Sequence, residues 1–547
     1  MKRVVAGREI VADDMSGLFD WRLRSTPDRV FARFEDETVS YAELDRRIAR
    51  IVAGFEAESI GRGDRVATFM HNSLWHVALL FACARTGVLW APMNVALKRE
   101  EVADSLAELG PRRIFVDAEL VAMLDGENGD DGVACGSKGP TDSSWRERSI
   151  VVDVDAGPDG GAALEAWLPA QGSDVRQPIA PGDPFCVMYS GGTTGRPKGV
   201  VLPHFCAVSC GYRMLEVAAL GEDEVFFSSS HLYHALLPCA VIPLCMVRGY
   251  PVCFTRWWSA SKFLDRVEQY RATVVDPFIG MVATLLKTPE SPRDARSTAR
   301  VAISGFGGSE ARSLELREQF EKRFGIRTYQ PYGQTEAGGF VTTETDRDES
   351  RRGSSGRLQG WYDLRIVDGD GFELPAGTLG EITVRPLVPG IMAHGYLGRA
   401  DETIRNWRDL WVHTGDEGYF DADGYLYFVG RKGHFLRRRG ELVSVAEVEA
   451  TVLAHPTVEE AVVIAVPSEM GEDDILCAVV WRGAGDPAGL VAHCESRMAA
   501  FKVPRYVRTL AEIPRTAAKG EVDRPTLRSL GTQGCWDRGD GRSRTRA

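Results

Sequence analysis

A loop rich in glycine and hydroxyl side chains, closed by a lysine, carries the clearest chemistry in the sequence. Residues 189–199 read YSGGTTGRPKG and follow the apolar run Phe185-Cys186-Val187-Met188. A Gly-rich loop after a strand exposes backbone N–H groups that can cradle phosphate oxygens. Lys198 precedes a glycine and not a hydroxyl residue, so this is not the G-x-x-x-x-G-K-[ST] loop. We predict that the following residues bind a polyanion: Ser190, Gly191, Gly192, Thr193, Thr194, Gly195 and Lys198.

The same loop closely resembles the Y-T-S-G-T-T-G-R-P-K-G signature of the AMP-forming adenylate enzymes. This superfamily comprises the acyl-CoA synthetases, the adenylation domains of peptide synthetases and the luciferases. Two positions of the motif differ, because Ser190 replaces Thr and Gly191 replaces Ser. The first change keeps a hydroxyl, and the second removes one donor. The resemblance implies that the loop holds the phosphates of ATP, that Lys198 is catalytic and that Thr193 contacts Mg²⁺.

A second motif, Tyr332-Gly333-Gln334-Thr335-Glu336, matches the Y-G-x-T-E of the same superfamily and follows the phosphate loop in the expected order. The resemblance implies that Tyr332 stacks on adenine and that Gly333 and Gln334 join the nucleotide site. It also implies that Thr335 contacts the α-phosphate. Glu336 would hold Mg²⁺, a hard cation for which a carboxylate is a suitable ligand.

A third motif, Trp411-Val412-His413-Thr414-Gly415-Asp416, matches W-x-x-T-G-D, and Gly430-Arg431 matches the G-R that follows. By this resemblance Asp416 accepts hydrogen bonds from both ribose hydroxyls, and Arg431 joins the ribose and phosphate contacts. The alternative for Asp416 is a turn residue between two glycines. The order of the three motifs favours the nucleotide role.

The segment His231-Leu232-Tyr233-His234 occupies the place where many members show P-L-F-H. The resemblance implies that His234 is an aromatic gate beside the acyl pocket. Two histidines at i and i+3 also form part of a metal-site pattern, although no third ligand is near in the sequence. Ser304–Gly308 stands in the place of the adenine-side loop, which assigns Gly307 to the nucleotide.

The acyl pocket is expected near residues 234–238, 278–285 and 304–309. The side chains of these segments are mixed and favour a small organic or aryl acid over a long fatty chain. The large apolar ones are Leu236, Leu237, Phe278, Met281 and Phe306.

Two C-terminal segments resemble those of acyl-CoA ligases and make coenzyme A the expected acceptor. Phe501-Lys502-Val503-Pro504 is similar to their Y/F-K-x-P run, and Arg437–Glu441 is similar to their R-G-E segment. The segment Trp257–Leu286 looks most like ligases of the carnitine/crotonobetaine type.

The resemblance fails at two places in the C-terminal region. The superfamily carries a catalytic lysine in P-R-T-x-x-G-K, whereas Pro514–Arg524 reads PRTAAKGEVDR and has no lysine in register. Lys519 is the nearest candidate for stabilising the charge at the α-phosphate. The G-R-x-K-D hinge is replaced by Gly430–His434, in which Gly433 loosens the backbone.

These motifs need a scaffold, and the flanking patterns predict one. The first 130 residues alternate helix and strand patterns, which is typical of a doubly wound, largely parallel sheet. Residues 355–430 have short strands with Asp-Gly turns and predict a β-rich subdomain. We predict an α/β fold with an ATP- and acyl-binding domain over 1–431, a mobile α/β domain over 432–530 and a disordered tail over 531–547.

The bulk composition limits the function classes. The 547 residues carry a net charge of −12, which argues against nonspecific nucleic-acid binding. Charged residues within the first 20 positions preclude a secretory h-region, and the apolar run Ala235–Val247 is short of the ~20 residues that span a bilayer. The eleven cysteines are expected to be buried, reduced thiols of a cytoplasmic enzyme.

The expected function is Mg-ATP-dependent activation of a carboxylate as an acyl-adenylate, followed by transfer to coenzyme A. A second hypothesis keeps adenylation but replaces coenzyme A by an amine, or by nitrite in a diazotisation, because a fold does not fix the acceptor. A third is an inactive nucleotide-binding homologue. The charges of Lys198, Glu336, Asp416 and Arg431 favour an active enzyme.

Overall fold

The computed structural model describes residues 3–124, 144–190, 198–217, 220–305, 311–345, 351–431, 435–515 and 522–539. Within these ranges, two seven-stranded sheets form the centre of the N-terminal part. The first sheet has a parallel body with an antiparallel edge. Its strands, in spatial order, are Gly395–Tyr396, Lys198–Pro203, Pro184–Ser190, Leu89–Pro92, Arg65–Phe69, Arg113–Asp117 and Ser149–Val152.

The second sheet is parallel except for its last pair of strands. Its strands, in spatial order, are Arg327–Tyr329, Val301–Ile303, Val274–Val275, Phe226–Phe227, Val252–Phe254, Val30–Phe34 and Glu37–Ser40. Side chains of both sheets join one large apolar core. This arrangement confirms the predicted α/β fold with largely parallel sheets.

Helices connect and cover these strands. A capping box forms at the helix Tyr41–Ala57, where the Glu43 N–H donates to Ser40 Oγ and the Ser40 N–H donates to Glu43 Oε2. The α-helices of the N-terminal part are Met15–Ser25, Tyr41–Ala57, Leu74–Thr86, Arg99–Leu109, Ser144–Glu147, Ala162–Trp167, His204–Met214, Ile242–Arg248, Phe263–Tyr270, Ile279–Leu286, Ala311–Phe324 and Ala400–Asn406.

Short 3₁₀ and π turns complete the N-terminal part. The 3₁₀ turns are Ala118–Leu124, Val154–Asp159, Ala260–Lys262 and Asp294–Arg296, and the π turn is Leu237–Val241. The apolar run Ala235–Val247 lies in the main core, as expected of a buried segment. No helix in the described ranges is both long and apolar enough to cross a membrane.

The predicted β-rich subdomain is an antiparallel sheet built from Tyr362–Val367, Gly380–Pro386, Trp411–Phe420, Trp407–Arg408 and Leu426–Arg431. Separate two-stranded ladders complete the N-terminal part. Their strands are Arg3–Val5 with Arg8–Ile10, Gly333–Gln334 with Gly339–Phe340, and Thr342–Thr343 with Arg357–Leu358.

Residues 435–539 are called the C-terminal unit here, and residues 3–431 the N-terminal part. The unit begins with the hairpin Phe435–Arg438 and Glu441–Ser444. It continues into a separate sheet, which has apolar cores of its own. The sheet strands are Val458–Pro467, Asp473–Trp481, Tyr506–Thr509 and Trp536–Asp537, and the helices are Val445–Leu453, Pro487–Arg497 and Arg524–Ser529.

The structure differs from the expected disordered tail over residues 531–539. Trp536–Asp537 adds a strand to Tyr506–Thr509, and Arg505 pairs with Asp537 at 3.2 Å. The expectation rested on a small, polar composition and missed these sheet and charge contacts. In the described ranges the cysteines are free, and all except Cys535 are buried, as predicted.

Candidate active site

The phosphate-loop residues Ser190 and Lys198 meet at the edge of the first sheet. They are direct partners in an antiparallel ladder, so the loop leaves and re-enters the sheet at one position. Lys198 is 4% exposed, and its Nζ lies 2.5 Å from Glu402 Oε2 and 4.9 Å from the ring centre of Tyr396. The lysine charge is therefore compensated within the protein and fixed beside the start of the loop.

The second motif joins the first through Glu336. Ser190 Oγ donates a hydrogen bond to Glu336 Oε1 at 3.0 Å, and the Tyr396 hydroxyl donates to the same oxygen at 3.1 Å. Asn406 Nδ2 in turn donates to the Tyr396 hydroxyl oxygen at 2.9 Å. Ser190 and Tyr396, from two separate parts of the chain, thus orient the buried carboxylate, and Asn406 orients Tyr396.

The donor set around Glu336 fits Mg²⁺. The available groups are hard oxygens, namely one carboxylate and the Ser190 hydroxyl, and Mg²⁺ in nucleotide sites uses few protein carboxylates together with phosphates and waters. Among the described residues, the cluster of candidate metal ligands is His71, Asp117 and Glu119, and it includes neither His231 nor His234.

The third motif joins the second through Tyr332. Its hydroxyl donates to Asp416 Oδ2 at 2.8 Å, and its ring packs on Phe428 with a centroid distance of 5.7 Å. The Asp416 N–H donates to Thr414 Oγ1 at 3.1 Å, which fixes the turn that presents the carboxylate. Arg431 is the ladder partner of Asp416 on the next strand. An aromatic ring and a buried carboxylate therefore lie side by side.

A tight ladder shapes the backbone of the second motif. Gly333 and Gln334 pair with Gly339–Phe340, and the Gly338 N–H donates to the Thr335 carbonyl oxygen. A Cβ atom at Gly333 would collide with the carbonyl oxygen of Gly339. Glycine is required at position 333 because of this close approach of two backbones and not because of its φ angle.

A cavity of about 420 Å³ lies where the C-terminal unit meets the N-terminal part. The N-terminal wall contains His231, Tyr233, His234, Phe278 and Met281, and the opposite wall contains the hairpin turn at 439–441 with 500–501. His234 packs edge-on against Phe278 at 5.2 Å between ring centres. Burial lowers the pKa of His234 to about 4, so the imidazole is neutral at neutral pH.

The expected pocket residues are only partly brought together. Phe278 and Met281 line this cavity, whereas Leu236 and Leu237 pack in the main core. The assignment of these four residues to the acyl pocket stays a prediction.

Several predicted site residues lie outside the described ranges. These are Gly191, Gly192, Thr193, Thr194, Gly195, Phe306, Gly307, Lys519 and the hinge at 432–434. Their roles stay predictions.

Sequence reasoning missed three residues that hold the site together. Tyr396 reaches Glu336, Glu402 reaches Lys198 and Asn406 holds Tyr396, because the short strand Gly395–Tyr396 pairs with Lys198–Pro203. No motif of charged residues marks this segment. The signal that identifies these residues is the pairing of a two-residue strand, and this pairing can be seen only in the structure.

Comparisons with known proteins agree with this geometry. The sequence profile of the AMP-binding enzyme family matches residues 19–397, and that of the AMP-binding enzyme C-terminal domain matches residues 447–519. The crotonobetaine/carnitine–CoA ligase of Escherichia coli O157:H7 is 29% identical over 89% of this chain and 93% of its own. The ligase of the same name from Salmonella agona is 28% identical over 96% of this chain and 100% of its own.

Solved structures show the same fold. The o-succinylbenzoate CoA synthetase of Bacillus subtilis, a double mutant bound to a product analogue, superposes with a TM-score of 0.79 at 24% identity, covering 94% of this chain and 98% of that one. The amide bond synthetase of Marinactinospora thermotolerans gives 0.75 at 23% identity, covering 94% and 99%. The motifs, their geometry and the profile matches agree, and the chain belongs to the AMP-binding enzyme family.

Proposed function

We propose that this AMP-forming acid–CoA ligase activates a small organic or aryl carboxylate with Mg-ATP and passes the acyl group to coenzyme A. The observation that carries the proposal is the convergence of three separated motifs. One hydrogen bond links Ser190 to Glu336, and a second links Tyr332 to Asp416.

In the first half-reaction, a carboxylate oxygen of the acid attacks the α-phosphorus of ATP, and pyrophosphate leaves. Mg²⁺ held by Glu336 and Thr193 would neutralise phosphate charge. The protein orients the nucleotide and supplies fixed charge, so positioning and electrostatics account for the catalysis. The proposed contacts are Tyr332 with adenine, Asp416 and Arg431 with ribose, Thr335 with the α-phosphate, and the loop at 190–195 with the other phosphates.

In this proposal, Lys198 and Lys519 each supply positive charge at a different place in the site. Lys198 is held by Glu402 at the start of the loop. Lys519 would take the place of the out-of-register catalytic lysine beside the reacting carboxylate. The C-terminal unit would rotate about residues 432–434 between the two half-reactions, as a hinged lid that excludes water.

In the second half-reaction, the thiolate of coenzyme A attacks the acyl carbonyl carbon, and AMP leaves with the electron pair of the broken C–O bond. The cavity between the two parts of the chain is the proposed path of the thiol. Lys98 and Arg439 line it and supply positive charge for the phosphates of coenzyme A. The neutral His234 provides an uncharged wall beside the acyl group.

The cavity wall also favours a polar substituent on the acid. Ser230 Oγ and His231 Nδ1 are buried and find no hydrogen-bond partner among the described residues. Both residues line the cavity together with aromatic rings. A buried polar group without a partner is costly, so a hydroxyl or amino group on the acid would satisfy these atoms.

The experiment that tests the proposal is acid-dependent exchange of pyrophosphate into ATP across a panel of small and aryl carboxylates. Asp416→Ala serves as the inactive control. The expected result is exchange with a subset of acids and formation of an acyl thioester when coenzyme A is added. A lack of exchange with every acid would refute adenylation. AMP release at the same rate with and without coenzyme A would refute coenzyme A as the acceptor.

A further inference from the structure

Lys502, the lysine of the F-K-V-P run, lies in the interface between the C-terminal unit and the N-terminal part. Its side chain is 4% exposed. The ammonium donates to Glu447 Oε1 at 2.6 Å and also to Glu101 Oε1. A buried ammonium between two carboxylates is a costly arrangement unless the charges remain paired.

The two carboxylates belong to helices on opposite sides of the interface. Glu101 lies in the first turn of Arg99–Leu109, and its other oxygen accepts the Lys98 N–H at 2.9 Å. Glu447 lies in the first turn of Val445–Leu453, which Ser444 caps. One ammonium therefore ties the start of a helix in the N-terminal part to the start of a helix in the C-terminal unit.

The same interface carries the cavity. Phe501, next to Lys502 in sequence, lines the cavity, as does Glu441. Glu441 Oε1 accepts a hydrogen bond from Asn94 Nδ2 at 3.0 Å across the interface. Any shift of the Lys502 contact would move both of these wall residues relative to the N-terminal wall.

We propose that Lys502 is a positioning residue for acyl transfer. It holds the C-terminal unit in the arrangement that forms the cavity. It touches no reacting atom. The inference rests on the proposed function, because it assigns the cavity to the transfer step. It assigns Lys502 no part in the formation of the adenylate.

The local electrostatics support a charge-dependent contact. Burial acts to lower the pKa of Lys502, but Glu447 and Glu101 outweigh it and raise that pKa, so the ammonium stays charged. Burial acts to raise the pKa of Glu447, and the ammonium of Lys502 opposes that rise. In contrast, Lys287 and Glu469 pair across the same interface at 3.4 Å with exposed side chains, and such surface pairs contribute little.

The first test separates the two half-reactions in Glu101→Gln. Glutamine keeps an oxygen that can accept the Lys98 N–H but removes the charge opposite Lys502, and it leaves the Lys502–Glu447 pair intact. We expect pyrophosphate exchange to be unchanged, and single-turnover transfer from the bound adenylate to coenzyme A to fall roughly 10–100-fold. Lys502→Met should behave in the same way, and Lys502→Arg should recover part of the rate.

Lys287→Met is the matched control, because it removes a cation from the same interface at an exposed position. It should leave both half-reactions unchanged. Equal losses in exchange and transfer, or no loss in transfer, would overturn the proposal. A wild-type enzyme that adenylates but makes no thioester would instead refute the proposed acceptor.

Hydrogen exchange tests the contact whether or not coenzyme A is the acceptor. In Glu101→Gln, the amides of the hairpin strands Phe435–Arg438 and Glu441–Ser444 should exchange faster than in the wild type, because the interface opens more often. The strand Pro184–Ser190 in the N-terminal sheet should be unaffected. Unchanged exchange in the hairpin would contradict the positioning role.

Discussion

The hydroxyl of Tyr332 donates a hydrogen bond to Oδ2 of Asp416, and this contact joins two nucleotide motifs that lie far apart in the sequence. Asp416 is 3% exposed, so its carboxylate depends on the protein for hydrogen bonds. The bond fixes the orientation of the carboxylate that we assign to ribose.

Tyr332→Phe is therefore expected to weaken ATP binding while it keeps the aromatic ring. A hydrogen bond to a charged group contributes about 1.5–3 kcal/mol, so the KM for ATP should rise roughly tenfold or more. Because the bond is remote from the reacting phosphorus, kcat should change less than KM. Steady-state kinetics at varied ATP measures both, and an unchanged KM would show that the hydroxyl does not orient Asp416.

Glu336→Gln is expected to lower pyrophosphate exchange on the order of 10²–10³-fold. The amide keeps an oxygen that accepts from Ser190 and Tyr396 but removes the negative charge assigned to Mg²⁺. The rate should recover in part as the Mg²⁺ concentration rises. A variant with the wild-type rate and the wild-type Mg²⁺ dependence would exclude Glu336 as the ligand.

Ser230→Ala is expected to reduce the preference for acids that carry a hydroxyl or amino group. The buried Ser230 Oγ finds no partner among the residues that the structure describes, and it lines the cavity. The ratio of kcat/KM between a substituted acid and its unsubstituted parent should fall by about tenfold or more. An unchanged ratio would mean that Ser230 does not contact the hydroxyl or amino group of the acid.

Asp276 makes stability depend on pH. Burial raises the pKa of Asp276 to about 7, although the Ser228 hydroxyl and the Ser229 N–H donate to its carboxylate. The folded protein therefore disfavours the ionised form, and this cost grows as pH rises from the unfolded pKa of about 4 towards 7. Relative to Asp276→Asn, the wild type should lose about 2–3 kcal/mol of unfolding free energy between about pH 5 and about pH 8.

Denaturant titrations of the two proteins at both pH values measure this difference. The comparison cancels the pH dependence that the wild type and the variant share. A difference in unfolding free energy that does not change with pH would mean that Asp276 titrates normally.

Leu410→Gly is expected to stabilise the fold. Leu410 has a φ of 68° and is 84% exposed, so it has a strained backbone and little burial to lose. Glycine adopts this conformation without a Cβ clash, and the gain should be about 0.5–1 kcal/mol. Leu410→Ala keeps the strain and should have little effect, so equal shifts of the unfolding midpoint in both variants would contradict this account.

Motifs with a local chemical meaning could be predicted from the sequence. The capping box at Ser40 depends on residues three apart, and the helix Val445–Leu453 buries Val445, Val448 and Val452 at helical spacing, so both patterns are local. The links between motifs could not be predicted, because they depend on strand order. Glu402 reaches Lys198 only through a strand pairing between residues about 200 positions apart.

The strand within residues 531–539 could not be predicted for a related reason. Composition measures the capacity of a segment to form its own core, and residues 531–539 form none. They add an edge strand to a sheet that already exists, and Arg505 anchors Asp537. The order of a short segment can therefore come from the surface that receives it.

The direct pairing of Ser190 with Lys198 means that seven residues join two points whose separation the sheet has already fixed. Because these two anchor points belong to the sheet, the ligand affinity of the segment can evolve separately from the stability of the sheet. The substitution of Gly191 for the serine usual in the superfamily lies within this segment. Its effects should be limited to how the nucleotide is held and should leave the folding of the protein unchanged.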